Sequence, residues 1–328
     1  MPKFISEGRL SRPFIFAISA LALAACSTEG DTTSAIPDEV VPAKKYTTAD
    51  LDEILSDPIK RSDMIVKIMG STDREDTHAF LKFHVYGFAG ENVIPFFTMN
   101  NVIVQKWTPT EDPGYYDMAH YEVAYYSEFD STKPIETWEN PITGEVNEIP
   151  PFILGPIFRQ YTPEGVIAPG IAPNPLNISV IGDRVFIPTH SVDKLPNPMS
   201  GPEWGPYAGD PTVYWDSMLT FSADIEDVLN EDTAKADAEI HMQNLVSWNP
   251  YFKMGLRPGR TMVRAFGTNL DSLDDVPPEV RAGLEKYTPE IFDTDNWEGF
   301  RMDNIDFMNE VKAKIDSGEI VIEGVSQE

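Results

Sequence analysis

The sequence predicts a mainly β fold: an antiparallel barrel-like or sandwich domain with helices at its margins. Three observations lead there. Through the middle of the chain, apolar residues alternate with polar ones at period two. Prolines and glycines, 28 and 21 of them, break these runs at short intervals, as turns between strands require. A regular succession of strand and helix, which a doubly wound sheet needs, is missing.

The elements follow in chain order. Lys3, Arg9 and Arg12 precede the apolar run PFIFAISALALAA, Pro13 to Ala25. That run is short for a bilayer span and ends in small residues, so residues 1–25 read as a secretory signal. It closes on Leu23-Ala24-Ala25-Cys26, which resembles the bacterial lipobox, where the cysteine is acylated. Cys26 is the only cysteine, so no internal disulfide is available, and lipid attachment accounts for its position. Ser27 after it favours, by resemblance to known sorting rules, the outer membrane, with the protein facing the periplasm. Residues 26–45, polar with two prolines, read as a flexible tether. Residues 46–328 then read as a single β-rich domain with C-terminal helices.

Within that domain a short helix begins at Thr47 or Thr48, with Leu51, Ile54 and Leu55 on one face. Leu81, Phe83 and Val85 alternate with Lys82, His84 and Tyr86 in the first strand. A strand starts at Asn101. In the next, Tyr121, Val123 and Tyr125 face one way, and His120, Glu122, Ala124 and Tyr126 the other. Two runs around Gly182-Asp183 predict a hairpin. TVYWDSMLTF, EIHMQNLVSW and TMVRAFGTNL continue the pattern. Helices are expected at IEDVLN, at PPEVRAGLEKY, where proline suits the first turn, and at NIDFMNEVKAKIDSG, where Gly318 suits the stop.

Removing residues 1–25 would leave 22 Lys and Arg against 52 Asp and Glu, a net charge of −30. Such a surface repels nucleic acid, which is excluded as a partner. Acidity serves solubility, and no EF-hand loop accompanies it.

Two long motifs carry more information. WENPITGE, Trp138 to Glu145, follows the strand YEVAYY. SWNPYFKMGLRPGR, Ser247 to Arg260, comes later, with Leu195-Pro-Asn-Pro198 between. This order resembles the bacterial and fungal domain-of-unknown-function 1838 family over roughly Ile65 to Lys314. One departure is that Tyr121, where the family often has Arg, precedes Glu122. The resemblance implies architecture and no particular reaction.

Asn140-Pro141 and Thr143-Gly144 supply turn chemistry, and Arg257-Pro258-Gly259 has the form of a type II turn. Beyond that, Trp138, Asn140 and Glu145 could line a pocket rim. Trp248 and Tyr251 could stack on a ligand, and Arg257 could hold a carboxylate, with Glu122 or Glu145 as its expected partner. His120 and Glu122 on one strand face could form an acid–base pair, with His84 joining from a neighbouring strand; a solvated outer face is the alternative. No metal site is expected, because H-x-H and H-E-x-x-H patterns are missing. Nucleophile elbows, dinucleotide loops and phosphate loops are missing too, so no cofactor is expected. Two functions stay open. One is a cofactor-free lyase, isomerase or hydrolase acting on an apolar or aromatic small molecule through Glu122, His120 and Arg257. The other is a binding lipoprotein for such a ligand.

Overall fold

Among the described residues, eleven strands join one sheet, all pairings antiparallel. The computed structural model describes residues 48–168 and 173–322. The expected leader, the tether and Cys26 lie outside the described residues. The sheet is curled into a half-barrel, with 44% of the chain in strands and 24% in helices. This is the mainly β, barrel-like fold that the alternation predicts.

The strands are β1 (Asp76–Ala89), β2 (Asn92–Pro109), β3 (Tyr116–Ser127), β4 (Thr137–Glu139), β5 (Val146–Glu148), β6 (Phe152–Thr162), β7 (Gly165–Ile167), β8 (Ser179–Ile181), β9 (Arg184–Pro196), β10 (Thr212–Asp224), β11 (Ala238–Val246), β12 (Arg260–Leu270) and β13 (Arg301–Met302). Their order across the sheet is β13-β6-β3-β2-β1-β12-β11-β10-β9-β8, with β7 on β6, while β4 and β5 form a separate hairpin. Short turns join β1 to β2, β2 to β3, β6 to β7 and β8 to β9; the other neighbours are linked by longer segments. The expected β8–β9 hairpin is present: Ile181 pairs with Arg184, and Gly182 takes φ 65°.

The helices are α1 (Thr48–Ser56), α2 (Pro58–Met69), α3 (Ile225–Leu229), α4 (Pro278–Tyr287) and α5 (Asp303–Asp316). Four of these coincide with sequence expectations. α2 does not, although its signals are present. Asp57 caps it by accepting from Ile59 N (2.9 Å) and Lys60 N (3.3 Å), and Pro58 opens it. β6 was also not foreseen, because Gly155-Pro156 in its middle reads as a break. It survives by a register shift: His120 pairs with Ile157 but Glu122 with Leu154, so one residue more is spent on β6.

Period two explains the layers. On the concave face, Leu81, Phe83, Phe97 and Ile240 belong to one large core with α2. On the convex face, Tyr121, Val123 and Tyr125 pack with Val280 and Leu284 of α4. β3 is therefore covered on both sides, and its inward-facing His120 and Glu122 cannot be a solvated outer face. Burial pushes the Tyr125 phenol, under α4, up to about 12. No helix among the described residues is long and apolar enough to cross a membrane.

Candidate functional site

The concave face encloses a cavity of about 610 Å³, within the range of small-molecule pockets. Its wall is mainly apolar, from Leu81, Phe83 and Val85 on β1 to Trp215, Leu219 and Phe221 on β10. Ile68 and Met69 at the end of α2 line one end, and Tyr251 and Phe252 line the other.

The polar cluster sits on β2 and β3, near α2. His120 Nε2 lies 3.4 Å from Glu122 Oε2, and their side chains are 17% and 14% exposed. Asn101 Nδ2 donates to Glu122 Oε1. Gln105 Nε2 lies 3.3 Å from His120 Nδ1. The tautomer follows from the far end of this chain. Trp107 Nε1–H, a donor only, is 3.2 Å from Gln105 Oε1 and 3.2 Å from the Thr77 hydroxyl. The Gln105 oxygen therefore faces Trp107 and its NH₂ faces His120. His120 Nδ1 accepts, and Nε2 carries the proton that is shared with Glu122. Each member is turned into place by a neighbour on the sheet, which is how a pair is held for proton transfer.

Close to the pair, Arg159 and Tyr161 line the same wall from β6. Burial pushes the Tyr161 phenol up, and Arg159 opposes that shift. Gly155 lies behind the pair. A Cβ there would stand 2.5 Å from the His120 carbonyl oxygen at a φ of 126°, so only glycine allows the strands to approach.

Of the residues chosen from sequence, the structure brings His120, Glu122 and Tyr251 to the cavity wall. The two long motifs do meet, but beneath the wall. Trp138 is 7% exposed and packs on Phe96 (4.9 Å between centroids), Phe97 and Phe252; Trp248 packs on the same Phe96 at 6.1 Å. Asn140 is fully buried. Its Nδ2 donates to the Phe252 carbonyl at 2.8 Å, and its Oδ1 accepts from Ile142 N at 2.8 Å. Asn147 donates to the same carbonyl at 3.3 Å. Asn140 N donates to the Glu145 carbonyl at 2.8 Å and closes the β4–β5 hairpin, whose turn ends on Gly144 at φ 72°. WENPITGE is thus a turn whose asparagine ties two loops together. The Glu145 side chain points to solvent.

Three expectations need correction. Arg257 makes no ion pair among the described residues: it is exposed, its Nη1 donates to Met254 O at 3.1 Å, and its own carbonyl accepts from Trp248 Nε1 at 3.0 Å. The bond to Met254 O holds the guanidinium on its own turn, and neither Glu122 nor Glu145 is its partner. Trp248, Trp138 and Asn140 are outside the lining of the cavity. His84 cannot join His120, because alternation puts it on the opposite face, where Nε2 meets Asp130 Oδ1 at 3.4 Å.

Gln105 and Asn101 were missed in the sequence. A signal existed: both are polar at inward positions of a strand whose other inward residues, Met99 and Ile103, are apolar. For metal, His120 and Glu122 offer two donors. No group of three or more His, Cys, Asp or Glu converges among the described residues.

The comparisons add a family. A family model described as "Protein of unknown function (DUF1838)" matches residues 82–303, two thirds of the chain, and includes both long motifs and the His120–Glu122 strand. Among curated proteins, no match is found.

Proposed function

The chain belongs to the DUF1838 family, whose description assigns no reaction, and from the geometry of its cavity we propose that it binds an apolar or aromatic small molecule and acts on it by acid–base chemistry without a cofactor. The carrying observation is a hydrogen-bonded, largely shielded carboxylate–imidazole pair in the wall of an otherwise apolar cavity. In this reading Glu122 takes a proton from the bound molecule. His120 Nε2–H donates one to the oxygen that gains charge or leaves. In hydrolysis Glu122 takes its proton from a water instead. Passage of the proton from Glu122 to His120 across their hydrogen bond restores both groups. Isomerisation, elimination or hydrolysis would each use that pair.

A second reading is a carrier or sensor that binds without turnover. The predominance of apolar wall over polar groups favours it. Either protein would work at the periplasmic face of an outer membrane, held there by acyl chains on Cys26. The LAAC segment after an apolar run supports that anchor.

One experiment separates the readings. The neutral fluorophore N-phenyl-1-naphthylamine reports binding, with Met242→Trp as a cavity-filling control. Incubation with a pool of small apolar carbonyl and hydroxy compounds, followed by mass spectrometry, reports turnover. The enzyme reading expects turnover that Glu122→Gln abolishes while probe binding persists. Probe binding without turnover by the wild type selects the carrier. Probe uptake that Met242→Trp leaves unchanged refutes both. For the anchor, Cys26→Ala should move the protein from the detergent phase to the aqueous phase.

A further inference from the structure

The cavity's far end, remote from Glu122, carries polar groups that neither the family nor the acid–base pair accounts for. On β11 the inward residues run Ala238, Ile240, Met242, Asn244, Val246, so one amide interrupts an apolar series. Asn244 is 5% exposed, and its Oδ1 has no hydrogen-bond partner. On β12, Thr261 is 3% exposed, and its Oγ1 has none either. Both line the cavity. Asn244 pairs with Val263, two residues from Thr261, so the two are diagonal neighbours about 7–8 Å apart. Ser217 on β10 stands directly opposite Asn244 and lines the cavity too. Buried polar side chains nearly always have a partner, and here the described residues supply none.

We infer that this end is a hydrogen-bonding subsite for an uncharged donor group, so that the ligand is an elongated apolar molecule bearing a hydroxyl or N–H there. The inference rests on the small-molecule reading above and names the substrate class. Three features fix that class. The unpartnered Asn244 atom is an acceptor, so the ligand donates, and the Thr261 hydroxyl can return a bond to the ligand's oxygen. The group is uncharged, because Arg159 and Lys235 lie toward the Glu122 end, while the ionisable neighbours on this side are Asp193 and His190, and His190 Nε2 is already taken by Asp216 Oδ1 at 2.7 Å. An anion would meet repulsion, and an ammonium would lose its water to neutral groups. The molecule is elongated, because pairing across β3-β2-β1-β12-β11 sets Glu122 level with Ala238. Asn244 lies six residues farther along β11, about 20 Å.

The test is displacement of N-phenyl-1-naphthylamine by 1-dodecanol, by dodecyl methyl ether, which cannot donate, and by dodecanoate. Wild type should bind the alcohol about tenfold more tightly than the ether, and dodecanoate more weakly than the alcohol. Asn244→Leu with Thr261→Val should bring the alcohol-to-ether ratio to about one, with ether affinity within twofold of wild type. Thr261→Val alone should lower the ratio, which keeps the test open if the double variant fails to fold. A wild-type ratio near one, a ratio unchanged in the variants, tighter dodecanoate binding, or failure of both alcohol and ether to displace the probe overturns the subsite. None of these touches the parent reading, which fails separately if Met242→Trp leaves probe uptake unchanged.

Discussion

Asn140→Ala should destabilise the fold although Asn140 touches no cavity. Its Nδ2 gives the Phe252 carbonyl the shorter of two amide bonds, 2.8 Å against 3.3 Å from Asn147, and its Oδ1 holds Ile142 N at 2.8 Å. Stranding a buried partner costs about 1–3 kcal/mol. The carbonyl keeps Asn147, so its share is about 1–2 kcal/mol on that scale. Ile142 N sits in a half-buried turn and adds about 1. With the small void, the total is about 2–4 kcal/mol, or roughly 5–10 °C in Tm for a domain of this size. Urea unfolding followed by tryptophan fluorescence measures it. Asn140→Asp is the decisive control. It keeps the acceptor for the turn but sets a carboxylate oxygen against the Phe252 carbonyl, so it should cost at least as much as alanine. If aspartate is tolerated within about 0.5 kcal/mol, the cross-loop bond contributes nothing and the reasoning fails.

Other consequences are as direct. Arg257→Met should change stability by less than about 1 kcal/mol, since the guanidinium is exposed and bonds only a backbone oxygen; a loss of 3 kcal/mol in denaturant titration would reveal a buried partner. Gly155→Ala should cost more than about 2 kcal/mol, from a positive φ and a Cβ 2.5 Å from the His120 carbonyl, and an unchanged Tm refutes the close packing of β6 on β3. Burial pushes His78 below its ordinary 6.5, against the pull of Asp76, and its Nδ1 lacks a partner. The folded state then resists protonation, so His78 contributes stability above pH 6.5 that is lost as the pH falls from there toward the lowered folded value. Measured against His78→Gln, wild-type stability should drop between pH 7 and 5, and a constant difference over that range rules the effect out.

The sequence by itself determined the class of fold and much of its grammar. Period two is local, so Leu81, Phe83 and Val85 declare their common face without knowing what covers it. Turn chemistry is local too: Gly182-Asp183 makes its hairpin, and Asn140 to Glu145 makes another. His120 and Glu122 were legible as a same-face pair for the same reason. Which face was buried was not legible, because the answer depends on α4 covering the convex side and on the curl of the sheet enclosing the concave one. Tertiary structure alone decided that Gln105, Asn101 and Trp107 orient the pair, since these partners come from another strand. It also turned Trp138, Asn140 and Trp248 into packing and left Arg257 in solvent. A residue's type shows what it can bond. Only the fold decides what lies within about 3 Å of it, and for a buried amide or carboxylate that neighbour sets the free energy.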